Sequence, residues 1–138
     1  AFSEGPTVLV EQGISGREFT CAAYRTSGVV HTLPIIEIIT ENEYFDYDAK
    51  YNGHSREVCP ADASGEIVSL VQNTTALIYE NLGCAGLVRM DYILADDGLY
   101  FLEVNTIPGM TSASLVPKMV RTAGIDITAF LTDIIENG

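Results

Sequence analysis

A chain of 138 residues with 47% apolar side chains and a mean hydropathy of +0.20 has enough material for one domain with a real core, which excludes a disordered segment. Its 19 acidic against 7 basic residues give a net charge of −12, which argues against nucleic acid and against an anionic membrane surface as partners, and no apolar run approaches the ~20 residues of a membrane helix. Cys21, Cys59 and Cys84 are odd in number, widely spaced and without a CxxC pair, the pattern of reduced thiols in a cytosolic protein and not of a disulfide framework or zinc site.

The elements follow in chain order. Residues 7–11 (TVLVE) read as a short strand that begins almost at once, with no targeting peptide before it, as if the chain starts partway through a domain. A turn with two glycines covers 12–16, and 17–24 (REFTCAAY) alternates as a second strand. After the turn Thr26-Ser27-Gly28, residues 29–39 form a third strand, with Pro34 marking an edge or a bulge; short turns make the three an antiparallel meander. Periodicity is lost over 40–60, which holds Tyr44, Phe45, Tyr47 and Tyr51 beside Lys50, His54 and Arg56. A mobile loop closing over an anionic ligand has this composition, and so does an irregular surface loop. Residues 64–82 carry a helical stripe of Ile67, Leu70, Val71, Leu77, Ile78 and Leu82, with Ser64 as N-cap and Gly83 as stop. The Asn73-Thr74-Thr75 sequon falls inside that helix and is a chance match. After a hairpin and a Pro108-Gly109 turn, a helix spans 114–123 with Pro117 in its first turn and Gly124 at its end. Asp126 caps a last helix through Glu136, with Ile127, Phe130, Leu131, Ile134 and Ile135 facing inward.

The chain is organised around residues 86–115, GLVRMDYILADDGLYFLEVNTIPGMTSASL. Arg89 and Asp91 share one strand face, as do Glu103 and Asn105. A two-residue turn at Asp97-Gly98 separates these pairs. A three-residue turn, Asp96-Asp97-Gly98 with Gly98 left-handed, pairs Ala95 with Leu99 and sets Asp91 opposite Glu103 and Arg89 opposite Asn105. The other face then becomes Met90, Tyr92, Leu94, Tyr100, Leu102 and Val104, apolar throughout, which favours this register. Two facing carboxylates repel unless a positive charge lies between them. The oxygens of Asp, Glu and Asn suit a hard cation such as Mg²⁺. Pattern alone does not separate that reading from a charged solvent face.

Residues 106–114 (TIPGMTSAS) lead into a helix N-terminus, whose free N–H groups attract a carboxylate or phosphate. Ser114 can bind that anion or cap the helix, Gly109 lets a backbone N–H approach a ligand, and Arg89 can neutralise charge on a transferring phosphoryl group. This set fits phosphoryl transfer better than Ser-His-Asp chemistry: the chain has only His31 and His54, no GxSxG and no Walker loop.

The run RMDYILADDGLYFLEVNTIPGMTSASLVPKM resembles the C-terminal signature of D-alanine–D-alanine ligases, members of the ATP-grasp superfamily. FDYDAKY with the following CPA resembles the family's tyrosine-lysine-tyrosine loop, and LVEQGISGREFT its hinge strand. The likeness spans nearly the whole chain. It implies an α+β fold, the C-terminal subdomain of an ATP-grasp domain over 1–138, mainly antiparallel sheet with packing helices. Within it lie a hinge strand at 7–18, a mobile loop at 40–60 and a magnesium and substrate hairpin and turn at 86–115. It also implies ATP-dependent joining of two D-alanines through an acyl phosphate, for peptidoglycan precursors, in a cytoplasmic enzyme that is a homodimer at full length.

By the same resemblance, Asp91 and Glu103 bind a first Mg²⁺ and Glu103 and Asn105 a second, with Mn²⁺ as a substitute. Arg89 and the Gly109 N–H stabilise the oxyanion and the transferring phosphoryl group, and Ser114 with the Leu115 N–H holds the acceptor carboxylate. Glu11, Gln12 and Ile14 line the adenine site, Glu18 holds the ribose hydroxyls, and Lys50 and Tyr51 come from the closing loop. The Lys50-Tyr51 pair favours dipeptide formation over D-alanine–D-lactate ligation. Gln12 departs from the family, where lysine is common, but contributes mainly backbone groups. The N-terminal domain and the first half of the ATP-grasp domain, with their phosphate-contacting lysines, have no counterpart in these residues, so the chain alone is expected to be inactive. The loop 40–60 is expected to order only with nucleotide. The competing readings are another ATP-grasp carboxylate–amine ligase and a non-catalytic acidic cation-binding module.

Overall fold

The computed structural model describes residues 7–40 and 55–138. Its elements are β1 (Arg17–Thr26), β2 (Val29–Thr32), β3 (Ile36–Thr40), β4 (Ser55–Val58), α1 (Gly65–Asn81), β5 (Leu87–Ala95), β6 (Gly98–Asn105), α2 (Leu115–Thr122) and α3 (Ile127–Asn137). The strands form one six-stranded antiparallel sheet in the order β4-β3-β1-β5-β6, with β2 also paired to β1.

Apolar alternation along β1 makes it the centre. Phe19, Cys21 and Ala23 point to one face, where α1 packs with Val71 and Tyr79 against Val88, Met90 and Tyr92. Ala22 and Tyr24 point to the other, where α2 and α3 add Val116, Met119, Val120 and Phe130. Helices therefore cover both faces of a sheet that carries two separate apolar clusters. Three cysteines are free, as expected. Burial pushes the Cys21 thiol up to about 12, so it stays protonated at neutral pH. A thiol-reactive dye should label the half-buried Cys59 and Cys84 in the folded chain and reach Cys21 only on unfolding; rapid labelling of all three would contradict this packing.

Several expectations are corrected. Residues 7–15 form no strand. Leu9 and Val10 are 80% and 87% exposed, and among the described residues no strand lies beside them to supply a ladder. The strand at 29–39 divides into β2 and β3, both on the same edge of β1. Ala23 faces Thr32 but Thr20 faces Ile36, a one-residue shift. Leu33 N–H still donates to the Ala22 carbonyl at 2.9 Å, Pro34 has no N–H to give, and the Ile35 carbonyl accepts from Ala61 N–H at 2.9 Å. Proline thus marks a bulge, one of the two positions expected. In the turn between β1 and β2, Ser27 and Gly28 have φ of 49° and 79°, the left-handed pair that a type I′ hairpin uses.

The loop at 40–60 is shorter than expected, because residues 55–58 form β4, paired with β3 from Glu37↔Val58 to Thr40↔Ser55. Lys50, Tyr51 and the expected ordering of the loop with nucleotide lie outside the described residues. Ser64 caps α1, its hydroxyl accepting from Ile67 N–H. The buried stripe of α1 is Val71, Thr75 and Tyr79, while Leu70, Leu77 and Leu82 are exposed. The spacing hid Thr75 because it is polar; its hydroxyl bonds the Val71 carbonyl and the Tyr92 hydroxyl, each at 2.8 Å, which removes the cost of burying it. In α3, capped by Asp126 through Ala129 N–H at 2.9 Å, Phe130 is buried while Leu131 and Ile135 face outward. The inward stripe of this helix is Ile127, Phe130 and Ile134, with the two isoleucines half-buried.

Candidate active site

The hairpin of β5 and β6 carries the site. Its register brings Arg89 opposite Asn105 and Asp91 opposite Glu103, as expected, by a different device. The turn has two central residues, Asp96 and Asp97, and Ala95 pairs with Gly98, not Leu99. A β-bulge between the Asp91 and Tyr92 pairs absorbs the offset, leaving Leu102 as the extra residue. The apolar face accordingly differs from expectation: Leu99 and Phe101 join Leu94 and Tyr92 there, with Tyr92 and Phe101 ring centroids 5.9 Å apart. Tyr100 and Leu102 leave it.

Asp91 is held by three donors. Arg89 Nε donates to Oδ1 at 3.0 Å and Arg89 Nη2 to Oδ2 at 2.8 Å. The Thr20 hydroxyl donates to Oδ1 at 2.6 Å. Arg89 and Asp91 are only 18% and 22% exposed, and the Arg89 pKa is raised by its hydrogen bonds to Asp91 and further by the charges of Asp91 and Glu103. The guanidinium is thus paired with Asp91, and the Glu103 carboxylate acts on it through its charge. The donor set of Asp91, Glu103 and Asn105 fits a hard divalent cation by chemistry, two carboxylates and an amide oxygen on facing strands. Among the described residues no group of three or more His, Cys, Asp or Glu is placed to hold a metal.

One cavity of about 720 Å³ gathers Glu11, Gln12, Ile14 and Glu18 with Arg89, Asp91, Glu103 and Leu115. The segment before β1 lies along one wall and the start of α2 closes another. Burial, then the charge of Asp91, raises the Glu18 pKa. Asn105, Gly109 and Ser114 stand outside its lining. Gly109 and Ser114 meet each other instead: a Cβ at Gly109 would lie 2.8 Å from Ser114 Oγ. Ser114 occupies the N-cap position of α2 but makes no capping bond, contrary to that expectation. Its Oγ turns back to accept from Thr111 N–H at 3.1 Å and pairs with the Thr111 hydroxyl at 2.8 Å. The first N–H groups of α2 therefore have no side-chain cap.

Sequence reasoning missed Thr20 and the apolar lining by Ile38, Ile93 and Leu102. Strand alternation from Glu18 was the available signal for Thr20; none existed for Leu102, whose direction depends on the bulge. Gly16 was noted only as a turn residue. A Cβ there would strike the Leu94 backbone, at 2.7 Å from its carbonyl carbon, and Ile93 Cγ2 at 2.8 Å. Gly16→Ala should destabilise the chain by about 1–3 kcal/mol in urea titration, because the added methyl meets the backbone of the paired strand β5; an unchanged midpoint would contradict this close approach.

The sequence profile of the family described as D-ala D-ala ligase C-terminus matches residues 1–136. A D-alanine–D-alanine ligase of Bacteroides fragilis is 49% identical over 138 residues, which cover 99% of this chain and 43% of that protein. The structure superposes on the VanG D-Ala:D-Ser ligase of Enterococcus faecalis with a TM-score of 0.78 and 33% identity, over 90% of this chain and 36% of that one. It superposes on the D-alanine–D-alanine ligase of Bacillus anthracis complexed with ATP with a TM-score of 0.73 and 35% identity, over 92% and 41% respectively. The chain therefore spans well under half the length of the relatives it matches. Its sequence over nearly its full extent, and its antiparallel sheet flanked by helices, belong to the D-alanine–D-alanine ligase C-terminal family.

Proposed function

We propose that this chain is the C-terminal part of an ATP-grasp domain and forms the metal and acceptor side of a D-alanine–D-alanine ligase site. The observation that carries this reading is the single cavity joining Glu11, Gln12, Ile14 and Glu18 to Arg89, Asp91 and Glu103. The adenine rests against Glu11, Gln12 and Ile14, and the Glu18 carboxylate accepts from the ribose hydroxyls. Asp91 and Glu103 would hold one Mg²⁺ or Mn²⁺, and Glu103 and Asn105 a second. Bound there, the ions supply neutralising charge for the nucleotide phosphates. The carboxylate of one D-alanine takes the γ-phosphoryl group, releasing ADP. The amine of the second D-alanine then attacks the acyl phosphate, forming the peptide bond and releasing phosphate. Arg89 and the Gly109 N–H face the charge that develops in both steps. The Ser114 hydroxyl, which does not cap α2, and the Leu115 N–H hold the acceptor carboxylate. Lys50 and Tyr51 take a role toward the phosphates in the same reading; both lie outside the described residues.

In this reading a substrate-binding domain and the first half of the ATP-grasp domain complete the enzyme, which is a cytoplasmic homodimer. Among the described residues no helix is long and apolar enough to cross a membrane. The test joins this chain to the preceding part of the Bacteroides fragilis relative and supplies ATP, Mg²⁺ and D-alanine. D-alanyl-D-alanine should form, and none from the chain alone. Product with D-serine but not D-alanine as acceptor would favour the second reading, an ATP-grasp ligase of different acceptor, which the likeness to the D-Ala:D-Ser ligase motivates. Metal binding with no effect of nucleotide and no product would leave the cation-binding module.

A further inference from the structure

Thr20, Asp91 and Glu103 form one row across three adjacent strands: β1 pairs Thr20 with Asp91, and β6 pairs Glu103 with Asp91. Thr20 is 2% exposed. Its hydroxyl has a single proton and two acceptors within reach, Asp91 Oδ1 at 2.6 Å and the Met90 carbonyl at 3.3 Å. The shorter, charge-assisted bond takes the proton. Arg89 also holds Asp91, but it does so as a cation. A divalent ion arriving between Asp91 and Glu103 repels the guanidinium and competes for the same oxygens. A neutral hydroxyl faces no such repulsion. Of the donors on Asp91, the Thr20 hydroxyl is the neutral one, and so the one that a divalent ion does not repel.

We propose that Thr20 is a positioning residue that fixes the Asp91 carboxylate through Oδ1 and so presents Oδ2 to a divalent cation. Arg89 occupies Oδ2, and shares Oδ1 with Thr20, until the ion displaces it. Thr20 thereby keeps the carboxylate from rotating when its other partner leaves, and its contribution is to metal affinity through Asp91 and not through any contact with the ion. This rests on the reading of Asp91 as a metal ligand.

The experiment measures Mn²⁺ alone, by the loss of its free-ion paramagnetic resonance signal, on the 138-residue chain and on Thr20→Val, Thr20→Ser and Asp91→Asn. Thr20→Val keeps the shape and removes the donor, and should weaken Mn²⁺ binding about 10–100-fold, while the metal-free chain still folds with its unfolding midpoint lowered by the loss of one charge-assisted hydrogen bond. Thr20→Ser restores the hydroxyl and should bring the affinity back, which a purely packing role would not do. If Thr20→Val does not fold, Thr20→Cys, a weak donor of similar size, takes its place with the same expected loss. Wild-type affinity in Thr20→Val alongside lost binding in Asp91→Asn overturns the positioning role alone. Wild-type affinity in Asp91→Asn overturns the metal-ligand reading beneath it.

Discussion

Arg89→Met should make the metal-free chain less stable and at the same time bind Mn²⁺ more tightly. The substitution removes both charged hydrogen bonds to Asp91, which are worth about 1.5–3 kcal/mol together in a partly buried setting. It also leaves Asp91 and Glu103 facing each other across the ladder without the cation that pairs with Asp91. An added divalent ion then replaces the missing charge, and no guanidinium competes with it. Urea titrations with and without Mg²⁺ separate the two effects: the ion should stabilise the variant more than the parent chain, because it binds the folded state more tightly there. Equal stabilisation of both would mean that Arg89 and the cation do not contend for Asp91. Under the proposed function, the same variant in the full-length enzyme should lose about 10²–10³-fold in turnover, the usual consequence of removing one charge-stabilising donor.

Phe130→Ala should cost about 3–5 kcal/mol. Phe130 is the buried residue of α3, 2% exposed, and its ring meets Tyr24 edge-on with centroids 4.9 Å apart. Tyr24 in turn stacks on His31 at 5.2 Å. Among the described residues, α3 otherwise reaches this core only through the half-buried Ile127 and Ile134. Removing the ring opens a cavity between β1 and α3 and frees the helix that fastens the chain end, where Ser27 N–H donates to the Asn137 carbonyl at 2.7 Å. Calorimetry would give the loss directly; a cost below 1 kcal/mol, far under the ordinary range for a buried aromatic, would mean that α3 is held by other contacts.

The readable parts of this chain were those where one residue type meets one physical demand. Ser64 and Asp126 begin their helices because they accept backbone N–H bonds, and Gly83 and Gly124 end theirs with φ of 62° and 72°. The pairing of Asp91 with Glu103 followed from keeping apolar residues together, and it holds although the turn was misread. What failed did so for want of tertiary information. TVLVE has strand composition but no strand beside it among the described residues. Leu70 and Leu77 have the right period but lie on the outside of α1, while Thr75 is inside because Tyr92 is there to meet it. Thr20 was invisible as a site residue because its importance depends on β1 and β5 lying side by side, a pairing between residues far apart in sequence.

The bulge at Leu102 has a consequence for how this hairpin can drift over evolutionary time. Because the extra residue sits between the tip and the charged row, the tip does not set the alignment of Asp91 with Glu103. The Asp96-Asp97 turn, whose one side-chain hydrogen bond among the described residues joins Asp97 to the Tyr100 hydroxyl at 2.8 Å, is free to change length or composition without rotating the charged face. An inserted tag or fusion at Asp96-Asp97 should be silent, whereas deleting Leu102 would turn every side chain beyond it to the wrong side of the sheet. The hairpin keeps its reading frame at the bulge, and its tip is an open site for insertion.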